Sequence, residues 1–130
     1  MSQYAGRWPV LDAGLLDPDL DIPRLAARFA DHGRLQIRDA LRTEVAEVLH
    51  QELSRHPRWS LAWRSAQGPE KTPLEDFEAM PEDARRKWLK EFQRRAREDF
   101  QFSYLSYMMI TGYLNRELPD SPLNRVVELL

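Results

Sequence analysis

A strong helical repeat flanked on both sides by alternating segments constrains this chain more than anything else in it. Over 41–55, Leu41, Val45, Val48, Leu49 and Leu53 fall on one stripe of a helix, which Pro57 ends. Just before it, Arg34-Leu35-Gln36-Ile37-Arg38 alternates polar and apolar with the two-residue period of a half-buried strand. Just after it, Trp59, Leu61 and Trp63 alternate with Ser60, Ala62 and Arg64, so two indoles share one strand face. Both periods occur within thirty-odd residues, and the sum is mostly helix plus two short strands. They predict an α+β fold that is mostly helical, with the 41–55 and 82–98 helices packed on the Leu35/Ile37 and Trp59/Leu61/Trp63 strands.

The remaining segments add helices. Residues 1–20, rich in Pro, Gly and Asp and without a period, read as an irregular N-terminal arm, leaving 21–130 as a single α-rich domain. Asp21-Ile22-Pro23 caps a helix whose buried side is Ile22, Leu25, Ala26 and Phe29, and Gly33 stops it. Residues 65–72 hold Gly68 and Pro69 and read as a loop. Thr72-Pro73-Leu74-Glu75 has the form of a capping box opening a short helix through Phe77. Pro81-Glu82-Asp83 starts the 82–98 helix with acids at the positive end of its dipole, and Trp88, Leu89, Phe92 and Ala96 form its buried side. From Phe100 to Leu114 the period is ambiguous between helix and extended chain.

Composition removes several function classes. The chain has 130 residues and no cysteine, which excludes disulfides, thiol catalysis and thiolate metal sites. A net charge of −2 gives no global reason to expect nucleic acid or an anionic membrane. No apolar run reaches membrane-spanning length and the first residues lack a signal-peptide layout, so a cytoplasmic protein is expected.

His50, Glu52 and His56 form the most tempting chemical group, because two histidines and a carboxylate can hold iron(II). The helical period argues against it. A two-residue step on a helix turns the side chain by roughly 200°, so His50 and Glu52 diverge. Glu52 and His56 share a face, but two ligands make only an adventitious site, and a solvated helix face is the better reading. Arg85, Arg86, Lys87, Lys90, Arg94, Arg95 and Arg97 are interleaved with Asp83, Glu91, Glu98 and Asp99. Asp83 with Lys87, Glu91 with Arg95 and Arg94 with Glu98 have ion-pair spacing, which favours a solvated face over nucleic-acid binding. The aromatic block from Phe100 to Tyr113 contains no basic residue and reads as core, not as a stacking platform. Ser54, Ser65, Ser103 and Ser106 lack a nucleophile-elbow context, and no Gly-rich phosphate loop is present. These residues nominate no catalytic, cofactor-binding or metal-binding position.

In order, the pieces resemble a known family. Phe29, Gly33-Arg34-Leu35-Gln36-Ile37-Arg38-Asp39-Ala40-Leu41, the helix bearing Ala46, Leu49 and Leu53, and Trp59-Ser60-Leu61 look like the N-terminal part of iron(II)/2-oxoglutarate-dependent dioxygenases of the prolyl-hydroxylase-like class. Phe100-Gln101-Phe102, Tyr104 and Tyr107 are similar to a segment that bacterial members carry just before the catalytic barrel. The resemblance spans 20–130. It implies the helical support layer of a double-stranded β-helix oxygenase, with iron(II) and 2-oxoglutarate held on barrel strands of a longer parent protein. The family's His-x-Asp, distal His and Arg or Lys for 2-oxoglutarate match no position here, so the chain alone is expected to be inactive.

Residues 121–130 read as a further helix, with Ser121 as cap, Pro122 in the first turn, and Leu123, Val126, Val127 and Leu130 on one stripe. That stripe is expected to meet either the missing barrel or a protein partner. The alternative function is therefore a self-contained helical interaction module docking through this helix, with neither nucleic acid nor membrane as a partner.

Overall fold

The computed structural model describes residues 2–56 and 58–130. The chain is mixed α and β, about 50% helical, with one small three-stranded antiparallel sheet. It divides into two compact units, one made of residues up to Arg55 together with Met109–Leu130, the other His56–Met108. No helix among the described residues is long and apolar enough to cross a membrane.

The first unit holds five helices: α1 (Pro9–Asp12), α2 (Ile22–His32), α3 (Thr43–Arg55), α6 (Met109–Leu114) and α7 (Leu123–Leu129). Leu11, Val45 and Val126 form its buried centre, with Trp8, Leu15, Leu41, Val48, Leu49, Met109 and Leu129 packed around them. Each fully buried aliphatic side chain contributes roughly 1.5–3 kcal/mol. The α3 stripe is therefore used as its spacing predicts from Leu41 to Leu49, while Leu53 stays 37% exposed. Pro57, predicted to end this helix, lies outside the described residues. Residues 1–20 contain α1 and supply Tyr4 and Leu11 to the buried set. Asp17 N–H donates to Ala40 O and Arg42 N–H to Leu15 O, strapping this segment to the entry of α3.

Several details of this unit differ from the sequence expectations. Residues 34–38 form no strand, and within its own unit α3 packs with α1. An alternating pattern states which side chains share a face but supplies no partner for the backbone. The α2 stripe is also uncovered: Leu25 is half-buried, whereas Ile22, Ala26 and Phe29 are exposed. On α7, Leu123 and Val126 are buried within the chain itself, Val127 is half-buried and Leu130 is 90% exposed. Ser121 does not cap the helix in the simple way. Pro122 occupies the cap position, and the Ser121 hydroxyl donates to Glu52 Oε1 at 2.6 Å while accepting from Leu123 N–H at 3.3 Å.

The second unit is the sheet, in the order β2 (Gly68–Pro73), β1 (Ser60–Ser65), β3 (Ser103–Ser106), with α4 (Leu74–Ala79) and α5 (Glu82–Glu98). The predicted second strand is β1, with Leu61 and Ala62 buried. The predicted 65–72 loop is instead a tight hairpin, pairing Ser65 with Gly68 and Ser60 with Pro73. Ser65 Oγ accepts from Gln67 N–H at 3.1 Å and closes the turn. Trp88 on α5 packs edge-on against Trp63 at 5.4 Å and Phe77 at 5.0 Å and stacks on Phe92 at 5.1 Å. Ala96 and Leu89, expected on the buried side, are exposed. Phe100 to Leu114 contains both periods in succession, as β3 and then α6.

Candidate functional site

The most open chemistry lies beside α2. Asp21 Oδ1 accepts from Arg24 N–H at 3.1 Å and starts the helix; Gly33, with φ of 66°, ends it, its N–H donating to Phe29 O at 2.7 Å. The left-handed turn at Gly33 sends residues 34–38 back along the helix. Two connected grooves result, of about 400 Å³ and about 610 Å³, both lined by Arg28 and Gln36. His32 and Arg34 line one end and Arg24 and Arg38 the other, with Leu25, Leu35 and Ile37 as the apolar surface between.

Arg24 and Arg28 are one helical turn apart, so their side chains leave the same face of α2. Neither they nor Arg34 and Arg38 make a side-chain hydrogen bond or ion pair among the described residues. Elsewhere, Arg7, Arg64, Arg86, Arg94 and Arg125 all have carboxylate partners. Asp19 and Asp21 also line the larger groove, but Asp21 is engaged as the α2 cap. His32 Nδ1 lies 3.0 Å from Arg28 O, and since a carbonyl only accepts, that nitrogen donates. Residues 34–37 have no strand partner among the described residues, and Arg38 and Asp39 form a turn. The place is a concave, basic surface beside a stretch of main chain without a strand partner, suited to binding.

The residues singled out by sequence do not converge. His50 is exposed on α3, Glu52 is half-buried and accepts from Ser121, and His56 belongs to the other unit. There, His56 is buried, its Nδ1 accepts from Arg58 N–H at 2.9 Å, and its ring lies 4.0 Å from Tyr107. No three His, Asp or Glu side chains stand together as a metal set among the described residues, and these three do not fit iron(II). On α5, Arg94 bridges Glu91 at 2.7 Å and Glu98 at 2.6 Å, which holds the Glu91 carboxyl below the usual carboxylate range. Among the described residues Glu91 thus pairs with Arg94 and not Arg95, and Glu82 with Arg86, while Asp83 and Lys87 form no ion pair. Of the aromatic block, Phe102 and Tyr107 are half-buried, whereas Phe100 and Tyr104 are 73% and 57% exposed, so it is only partly core. Ser65 serves the hairpin turn.

Sequence reasoning passed over the α2 groove. Its signal was present in the four-residue spacings of Arg24 with Arg28 and Arg34 with Arg38, but only the turn at Gly33 brings the two pairs together. No family model, curated protein or solved structure matches the chain.

Proposed function

We propose that the chain is the N-terminal support portion of an iron(II)/2-oxoglutarate-dependent dioxygenase, a cytoplasmic hydroxylase whose catalytic barrel is supplied by a longer parent protein. One observation carries this reading. Residues 34–38, which lie inside the motif that bears the resemblance, alternate as a strand does and yet have no strand partner among the described residues. Unpaired main-chain groups of this kind are satisfied in folded proteins by a further strand or by water. A barrel strand of the parent satisfies them while using the Leu35 and Ile37 face. Iron(II) and 2-oxoglutarate would then sit on the barrel, since His50, Glu52 and His56 do not fit the metal, and no catalytic step is assigned to this chain.

Two measurements test the reading. The purified chain, supplied with iron(II), ascorbate, oxygen and 2-oxoglutarate, is expected to yield no succinate, and iron-dependent succinate would overturn it. The reading frame is expected to continue past codon 130 into strands bearing His-x-Asp.

A second reading has its own support. Leu15, Leu16, Leu41, Leu49, Leu129 and Leu130 line an apolar groove of about 580 Å³ within the first unit, with Leu16 58% and Leu130 90% exposed. Such a groove suits a helical interaction module, although Leu123 and Val126 are already covered and only the Leu129/Leu130 end of α7 is left to dock. A stop codon after Leu130 together with a stable oligomer in solution would select this reading.

A further inference from the structure

We propose that the groove between α2 and residues 34–38 receives an extended strand in which acidic and apolar residues alternate. The proposal rests on the strand-pairing reading above and adds the chemistry of the incoming strand.

Charge sets one half of that chemistry. Arg24, Arg28, Arg34 and Arg38 stand around the groove without side-chain partners among the described residues, against Asp19 and Asp21, of which Asp21 is held by the α2 N-terminus. A neutral or basic strand laid here would leave the guanidiniums uncompensated and lose the specificity that charge complementarity provides. Pattern sets the other half. In a paired strand over 34–37, Arg34 and Gln36 share one face while Leu35 and Ile37 share the other, and Arg38 stands in the turn that follows. Side chains directly opposite each other on one face interact, so acids belong opposite Arg34 and apolar residues opposite Leu35 and Ile37. Spacing agrees. Alternate residues on one face of a strand are about 6.7 Å apart. Arg24 and Arg28 project one turn apart on the helix, about 5–6 Å at their Cβ atoms. Carboxylates two residues apart on a strand can therefore address both. A phosphate backbone would use the guanidiniums but leave Leu25, Leu35 and Ile37 without a counterpart, so the apolar lining favours peptide.

The test uses the full chain and three labelled hexapeptides with blocked ends, alternating Glu-Val, Ser-Val and Lys-Val. Binding is read by fluorescence anisotropy and by hydrogen exchange at the Leu35, Gln36 and Ile37 amides. The Glu-Val peptide is expected to bind tightest, to weaken as salt rises, and to slow exchange at those amides. Arg28→Glu with Arg34→Glu is expected to weaken it about tenfold, as two exposed charge pairs are reversed. Both arginines are exposed, and unchanged far-UV circular dichroism will establish that the variant is folded. Equal protection by all three peptides would overturn the acidic preference and leave strand pairing standing. Binding of the Glu-Val peptide without protection of the three amides would overturn the groove as its seat. Protection by none of them would remove the strand-pairing reading along with the proposal.

Discussion

Arg125 Nε meets Asp12 Oδ1 at 2.5 Å, tying the last helix of the chain to its first. The pair belongs to a larger clamp. Glu128 accepts from Arg125 Nη1 at 3.1 Å, from Gln3 N–H at 2.8 Å, from Tyr4 N–H at 3.3 Å and from the Ser2 hydroxyl. Asp12 also accepts from Gly6 N–H at 2.8 Å. The Glu128 and Arg125 side chains are only 6% and 12% exposed, so both charges depend on these partners. Tyr4, whose N–H joins the clamp, and Leu11, next to Asp12, are both buried.

The clamp makes stability fall in acid. Burial pushes the Glu128 carboxyl up, but donation from Ser2, Gln3, Arg125 and Tyr4 outweighs burial and holds its pKa below the usual carboxylate value. A group whose folded pKa lies below its unfolded one, about 4.3 for glutamate, adds stability that is present above that value. That stability disappears as pH falls through the folded pKa. The urea midpoint is therefore expected to drop below about pH 4. Glu128→Gln is expected to lower the midpoint at pH 7 and to flatten the acid limb relative to the parent. An acid limb of unchanged steepness would assign the effect to other carboxylates.

Long periods were legible in the sequence and partners were not. The helices at 41–55 and 82–98 each carry enough turns to be read as helices, although Leu53, Leu89 and Ala96 of their stripes are exposed. Strand β1 was legible from the alternation of Trp59, Leu61 and Trp63, although adjacent Leu61 and Ala62 are both buried. Strand β2, Gly-Pro-Glu-Lys-Thr-Pro, has no apolar residue to alternate, so it reads as loop. Its prolines and charges suit an edge strand. Residues 34–38 fail in the opposite direction, having the pattern and lacking the neighbour. The groove beside them was hidden because each arginine sits in sequence near an aspartate, and only the fold shows that those acids leave the four guanidiniums without partners.

Trp88 is expected to be the largest single contributor among the second unit's aromatics. It touches Trp63, Phe77 and Phe92. Trp88→Ala removes all three and is expected to destabilise by about 3 kcal/mol. Trp88→Phe keeps apolar contact and should cost about 1 kcal/mol. Urea unfolding followed by circular dichroism at 222 nm reads both. A near-neutral Trp88→Ala would mean that the sheet does not depend on α5.

Thr72 separates two accounts of the β2 to α4 junction. As a capping residue its hydroxyl would accept from the first turn of α4, but Pro73 holds the cap position with no side-chain hydrogen bond, and Thr72 Oγ1 instead accepts from Trp63 Nε1–H at 3.1 Å. Thr72→Val leaves that indole N–H without its acceptor and is expected to cost about 1 kcal/mol. Thr72→Ser should cost less, because the oxygen is retained. The indole N–H proton resonance of Trp63 is the direct check. It is expected to move in Thr72→Val and to stay in place in Thr72→Ser, whereas a cap would move the Leu74 to Asp76 amides.

Gly33 governs whether the α2 groove forms at all. Its φ of 66° lies in the left-handed region, and a Cβ placed there meets nothing within 4 Å. A substitution therefore carries backbone strain without steric clash, about 1 kcal/mol for alanine. Asparagine, which tolerates this conformation better than other L-residues, should lose about half as much. If Gly33→Ala relieves its strain by moving to negative φ, residues 34–38 leave α2 and the groove opens. Both variants are expected to show lowered urea midpoints in that order. The Glu-Val hexapeptide should bind Gly33→Asn nearly as well as the parent and Gly33→Ala more weakly. Equal midpoints for all three chains would show that the left-handed turn is not what ends α2.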